Sequence, residues 1–221
     1  MIPEIKIIKN IEDVIEEIRE VSSFIWDFGW AERNAGNFSI DISERFYFER
    51  TIIFKKKGSR FRDLAKNPEK NIVISVFEGE KMRIIFGDGE PTSEFPTHFL
   101  IQRYLSEKEP KNKVILHTHP EWTIILSGLK GMDEKKINKI LSNASPEFNI
   151  FIKEGVGLIE YIEPGSEEIG RETLKKCKDF RIIIWKKHGT ISIDENLKEA
   201  FDKTHIIEKT SKIAYHLWGQ S

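Results

Sequence analysis

The stretch Val114-Ile115-Leu116-His117-Thr118-His119-Pro120 decides how this chain is read. Apolar and β-branched residues run into two histidines one residue apart, and a proline closes the run. Such a run predicts a buried strand. Alternate residues of a strand share a face, so His117 and His119 project together from the end of a rigid element. Imidazole is the commonest metal-binding side chain, and a pair placed this way supplies half of a tetrahedral site. Histidines that are merely packed or solvated at a strand end show the same spacing. The rest of the chain therefore has to supply a third ligand, a base and a means of holding substrate.

The 221 residues suffice for one sizeable domain, and residues 1–221 are read as one. Lys and Arg number 35 against 36 Asp and Glu, a net charge of −1 that gives no reason to expect a nucleic-acid partner. Charged residues make up 32% of the chain and apolar ones 39%. A surface this rich in Lys and Glu fits either a heat-adapted protein or nucleotide bias. Cys177 is the only cysteine, which excludes an intrachain disulfide and reads as a reduced thiol. No apolar run approaches the roughly 18 residues that span a bilayer, and Met1-Ile2-Pro3-Glu4-Ile5-Lys6 is not a secretion signal. The expectation is a soluble, cytoplasmic protein.

Working outward, residues 11–32 carry apolar side chains at helical spacing from Ile11 to Phe28. Glu32-Arg33-Asn34-Ala35-Gly36-Asn37 then turns into an alternating strand at Phe38, Ile40 and Ile42. Asn and Gly tolerate left-handed backbone, so this is either turn chemistry alone or a set of amides converging on an anion. Arg50–Lys55 predicts a strand, followed by the basic turn Lys56-Lys57-Gly58-Ser59-Arg60, which is either solvated or suited to a phosphate. Residues 71–77 and 82–86 predict a hairpin across Glu78-Gly79-Glu80-Lys81. Thr92 or Ser93 is expected to cap a helix with Pro96 in its first turn. Glu94 there either complements the helix dipole or serves as a general base. His98 is a packed helix residue or a third ligand.

Past the histidine pair, residues 122–129 and 133–141 predict helices, and residues 148–152 and 156–162 predict strands. Ser166 is a plausible cap for a helix carrying Ile169 and Leu174. Ile182–Trp185 predicts a buried strand ending in Lys187-His188-Gly189, where a third ligand could sit. A last helix spans about 196–217, with His205 and His216 as ordinary helix residues.

Four segments in order carry a resemblance: Glu32-Arg33-Asn34-Ala35-Gly36-Asn37, Pro91-Thr92-Ser93-Glu94, His117-Thr118-His119 and Lys187-His188-Gly189. Together they resemble the class II aldolase/adducin-type family over about residues 11–217. Longer runs, such as Pro91–Leu100 and Glu154-Gly155-Val156-Gly157-Leu158, are similar to its ketose-1-phosphate aldolases. The resemblance implies a single α/β domain with a central, largely antiparallel sheet flanked by helices. It also implies a homotetramer with active sites at subunit interfaces. Carried over by position, His117, His119 and His188 would bind zinc, and Glu94 would be the catalytic carboxylate. Asn34, Gly36, Asn37, Gly58, Ser59 and Ser93 would surround a sugar phosphate. Glu147 matches a glutamate that reaches a neighbouring subunit's site.

The reaction implied is reversible cleavage of L-rhamnulose 1-phosphate to dihydroxyacetone phosphate and L-lactaldehyde. Breaking that bond leaves a carbanion beside a carbonyl, and a divalent metal is the natural electron sink. Two departures bear on detail. Lys57 stands where the family often has Thr, and the chain stops at Ser221, short of a tail some members carry. Rival readings within the family are a fuculose-phosphate aldolase or a methylthioribulose-phosphate dehydratase. A pentulose-phosphate epimerase would carry Asp at Glu94. An adducin-type binding module should lack part of the histidine set. A zinc hydrolase would have no use for the two anion-suited turns.

Overall fold

A computed structural model describes residues 4–46, 50–79 and 81–218. Glu80 of the predicted hairpin connection and the terminal residues Met1–Pro3 and Gly219–Ser221 lie outside them. In chain order the helices are α1 (Glu4–Lys9), α2 (Glu12–Asp27), α3 (Phe61–Leu64), α4 (Phe95–Lys108), α5 (Glu121–Gly128), α6 (Glu134–Ala144), α7 (Pro146–Phe151), α8 (Glu167–Cys177) and α9 (Leu197–Trp218). The strands are β1 (Asn37–Asp41), β2 (Arg50–Lys55), β3 (Ile72–Glu78), β4 (Lys81–Phe86), β5 (Val114–Thr118), β6 (Gly157–Ile159), β7 (Ile182–Trp185) and β8 (Gly189–Asp194). They form one sheet in the order β4-β3-β2-β1-β5-β8-β7-β6. Every neighbouring pair is antiparallel except β6–β7. The expectation of an α/β domain with a largely antiparallel sheet is met.

Why the central strands read as continuous apolar runs follows from their cover. Val114 and Leu116 of β5 face a cluster with Ile18, Ile25 and Phe201 of α2 and α9. Ile115 faces the other way, into a cluster with Ile101 and Leu105 of α4 and Ile169 of α8. With helices on both faces, alternation of apolar and polar residues disappears. No helix among the described residues is long and apolar enough to cross a membrane.

Several element boundaries differ from those expected. Residues 148–152, expected as a strand, lie mostly in helix α7. Pro146 opens that helix, Phe148 and Ile152 are buried four residues apart, and Ile150 and Phe151 are exposed. That is a helical face, which so short an apolar run does not reveal by periodicity. The first long helix stops at Asp27, and Gly29 at φ 74° turns the chain away. Neither Thr92 nor Ser93 is the cap residue of α4. Glu94 occupies that position, and no side chain caps the helix. The strand expected over 156–162 is confined to Gly157–Ile159, and β8 and α1 were not anticipated. The Ser166 cap on α8 is present, accepting from the Ile169 N–H at 3.3 Å.

Candidate metal centre

Strand β5 lies between β1 and β8, with His117 opposite Asn37 on one side and Ile191 on the other. His119 lies just past the strand, held by its backbone N–H donating to the Trp30 carbonyl at 2.8 Å. His188 occupies the tight β7–β8 turn, next to Lys187 at φ 62°. Ligand atoms of His117, His119 and His188 all lie within 4.8 Å of one another. The buried Trp185 ring packs against His117 and His188, with centroids 4.8 and 5.3 Å away. Gly189 makes this convergence possible. A Cβ there would sit 2.3 Å from the Thr118 carbonyl oxygen and 2.9 Å from His119 Cδ2.

The outer nitrogens fix the rings. His117 Nδ1 donates to the Thr190 carbonyl at 2.9 Å, and His119 Nδ1 donates to the Glu32 carboxylate at 3.0 Å. Each of these bonds commits Nδ1 as donor and leaves Nε2 to face inward, the arrangement that orients histidine ligands. The two Nε2 atoms are 3.2 Å apart. A tetrahedral zinc with bonds of about 2.0–2.1 Å sets its nitrogens about 3.3 Å apart. His188 Nδ1 is buried and has no hydrogen-bond partner. Burial holds His117 well below the usual imidazole range and His188 down to about 4, so both stay neutral and able to donate a lone pair. Three imidazoles with converging donor atoms and an orphaned buried nitrogen fit a divalent cation.

Glu94 stands beside this cluster. It is 6% exposed, and its Oε1 is 3.6 Å from His117 Nε2. Its Oε2 accepts from Asn37 Nδ2 at 3.1 Å. Burial raises its carboxyl to about 7, against the opposing pull of the Asn37 hydrogen bond and of Lys55. Lys55 was not anticipated as a site residue. It is 2% exposed, donates from Nζ to the Asn34 carbonyl at 3.0 Å, and is lowered to about 8 by burial. Its one sequence signal is a lysine that directly follows the apolar run Ile52-Ile53-Phe54.

The first glycine turn touches Lys55 through the Asn34 carbonyl. Gly36, at φ 65°, passes so close to β5 that a Cβ would meet the His117 carbonyl at 2.9 Å. Asn34 and Ser93 are exposed. Gly58 is at φ 79° with open space where a Cβ would stand. Ser59 is buried, its hydroxyl donating to the Lys56 carbonyl at 2.7 Å. Asn37 is committed on both sides, to Glu94 and to His98. His98 is therefore a packed helix residue and not a metal ligand: it is fully buried and bonded to Ser39 and Asn37. His205 and His216 are exposed, lying against Trp30 and Trp122 respectively. Glu147 is exposed on α7, its carboxylate accepting from the Ser145 hydroxyl at 2.5 Å, and is not brought to the histidines of its own chain. Glu208 was also missed. Its carboxylate accepts from the N–H groups of Trp122 and Thr123 at 2.9 Å, pinning the start of α5 just after His119.

A sheet that brings three histidines together beside a buried carboxylate defines a scaffold able to hold a metal ion. The family model described as "Class II Aldolase and Adducin N-terminal domain" matches residues 16–215, and the chain belongs to that family. Class II aldolases are metal-dependent, which the three histidines fit. The chain is similar to rhamnulose-1-phosphate aldolases of Bacteroides thetaiotaomicron, 29% identical over 90% of this chain and 84% of that one, and of Listeria monocytogenes, 28% identical over 93% and 86%. Among solved structures, a sugar-phosphate aldolase of Thermotoga maritima superposes with a TM-score of 0.87 at 30% identity, covering 96% of this chain and 97% of that one. An L-fuculose-1-phosphate aldolase of Thermus thermophilus shares the fold, with a TM-score of 0.70 at 20% identity over 96% and 98%.

Proposed function

We propose that this chain is a zinc-dependent class II aldolase that reversibly cleaves L-rhamnulose 1-phosphate to dihydroxyacetone phosphate and L-lactaldehyde. The observation that carries the reading is the Glu94 carboxylate, buried and 3.6 Å from His117 Nε2 within a three-histidine cluster. Relatives named as rhamnulose-1-phosphate aldolases over most of the chain support the choice of sugar.

His117, His119 and His188 hold the cation. When bound, it supplies a Lewis acid for the oxygen on which negative charge develops as the carbon–carbon bond breaks. Glu94 moves the proton at the carbon next to the carbonyl, its Oε1 being the carboxylate oxygen that faces the histidine cluster. Asn34, Gly36, Gly58, Ser59 and Ser93 line the phosphate pocket, with Lys55 adding positive charge beside Asn34, while the Asn37 amide, committed to Glu94 and His98, serves the carboxylate rather than the phosphate. The phosphate does no chemistry. It fixes the reacting carbon near Glu94, which is an orientation effect.

The working form is a cytoplasmic homotetramer in which Glu147 reaches the site of a neighbouring subunit. The exposed side chains of Ile150 and Phe151 on the same short helix, 56% and 57% exposed, are suited to burial against another copy.

The test is release of dihydroxyacetone phosphate from L-rhamnulose 1-phosphate, with L-fuculose 1-phosphate alongside. Preference for the rhamnulose substrate supports the reading, and preference for fuculose keeps the mechanism and overturns the sugar. The two substrates differ only in the configuration of one hydroxyl-bearing carbon and release the same products, so the ratio of their rates rather than a single rate decides.

A further inference from the structure

Behind Glu94, away from the histidines, runs a buried chain of hydrogen bonds that the reaction as described does not use. Gln102 Nε2 lies 3.0 Å from the Lys113 carbonyl, 3.3 Å from the Ser39 carbonyl and 2.9 Å from Ser39 Oγ. Ser39 Oγ lies 2.8 Å from His98 Nδ1. His98 Nε2 lies 2.5 Å from Asn37 Oδ1, and Asn37 Nδ2 lies 3.1 Å from Glu94 Oε2. Ser39, His98 and Gln102 are fully buried, and Asn37 is 5% exposed.

The direction of every bond follows from the far end. Two backbone carbonyls can only accept, so they fix the Gln102 amide nitrogen, rather than its oxygen, toward β1 and Ser39. That nitrogen has no lone pair to accept with, so the Ser39 Oγ hydrogen cannot go to it and goes to the other neighbour, His98 Nδ1. A neutral imidazole accepting at Nδ1 carries its hydrogen on Nε2, and burial keeps this ring neutral by holding it down to about 3. The Nε2–H then points at Asn37 and selects the carbonyl end of its amide. The NH₂ end is left facing Glu94.

We propose that Gln102, Ser39 and His98 are positioning residues for Glu94, forming a one-way donor relay that sets the Asn37 amide so that it always offers an N–H to Oε2. Oε2 is thereby tied back, and Oε1 is left as the oxygen facing the histidine cluster. Without the relay, Asn37 can turn its amide over and present an oxygen to the carboxylate. That arrangement repels the ionised form which the proton transfer needs. A relay pays off in a buried site because an unsatisfied or misdirected polar group there is costly. The proposal rests on Glu94 as the proton-moving group, but the relay itself can be read without any sugar.

The experiment uses the full-length, metal-loaded protein and measures metal content in every sample. The first readout is the imidazole ¹⁵N spectrum of histidine-labelled protein. His98 is expected as the Nε2–H tautomer with a slowly exchanging proton. In Ser39→Ala that signature should be lost while the signals of His117, His119 and His188 stay in place. The second readout is kinetic. Ser39→Ala and Gln102→Leu are expected to keep KM within about twofold and to lower kcat roughly tenfold, the scale of losses when a group supporting a site residue is removed. His98→Gln, whose amide can still donate to Asn37 Oδ1, should recover more of kcat than His98→Phe. The proposal is overturned by an unchanged His98 tautomer in Ser39→Ala, by parent kcat in folded Ser39→Ala and Gln102→Leu, or by equal losses in His98→Gln and His98→Phe. If the parent cleaves neither sugar phosphate, the functional reading fails, and the ¹⁵N spectrum still decides the relay.

Discussion

The Nε2 atoms of His117 and His119 stand 3.2 Å apart, each on a ring whose other nitrogen is committed to an acceptor. Two lone pairs held at that distance repel unless a proton or cation lies between them. A cation that binds the folded chain and not the unfolded one stabilises it by mass action, about 4 kcal/mol at a thousandfold excess over Kd. For a chain of this length that corresponds to roughly 2–4 °C in Tm per kcal/mol. Adding zinc to chelated protein should raise Tm by several degrees in the parent and not in His117→Ala, as read by calorimetry.

Gly189 and Glu32 set the histidines in different ways. A methyl group at 189 collides with the Thr118 backbone and the edge of the His119 ring, so Gly189→Ala should displace two ligands at once. Glu32→Gln leaves the rings in place but replaces a carboxylate acceptor on His119 with a neutral one. Metal affinity should fall roughly 10–100-fold in Glu32→Gln and further in Gly189→Ala. Competition against a chromophoric chelator measures both.

In metal-free protein the Glu94 carboxyl is raised from 4.5 to about 7, burial being the largest cause. The fold therefore favours its neutral form. The stability this contributes is complete below about pH 4.5 and is lost as pH rises through about 7. Removing the ionisable group removes that slope. Denaturant unfolding of the metal-free parent should show a decline across this window that is smaller in Glu94→Gln.

Glu208 satisfies the first N–H groups of α5 from a distant helix. Truncation leaves those two N–H donors without their acceptor and the Thr123 hydroxyl with only Ser211 Oγ at 3.3 Å. Glu208→Ala should destabilise the chain by about 1–3 kcal/mol. Because the same contacts pin the chain just past His119, metal affinity should fall as well. Urea unfolding and metal titration on the same variant test the pair of effects.

The His117 and His119 pair was legible because its signal is local, a strand period that puts both on one face, whereas His188 before Gly189 is weak alone and was reached only through the ordered resemblance. Strands β2, β3 and β7 were legible for the same reason, as apolar runs ended by turns. Helix α7 was not, because Phe148–Ile152 is too short for its period to show, and only the exposure of Ile150 and Phe151 tells which face is buried. Lys55, Ser39 and Gln102 escaped because each looks ordinary in sequence. Their meaning lies in partners 21, 59 and 63 residues away, across the sheet and helix α4.

The measurement that bears most directly on the account is zinc content and turnover on L-rhamnulose 1-phosphate in the same samples of parent, His188→Ala and Glu94→Gln. The account predicts one zinc per chain in the parent and loss of both metal and activity in His188→Ala. It predicts retained zinc with a rate roughly 10²-fold lower in Glu94→Gln. Full zinc occupancy in His188→Ala, or parent turnover in Glu94→Gln, would contradict it.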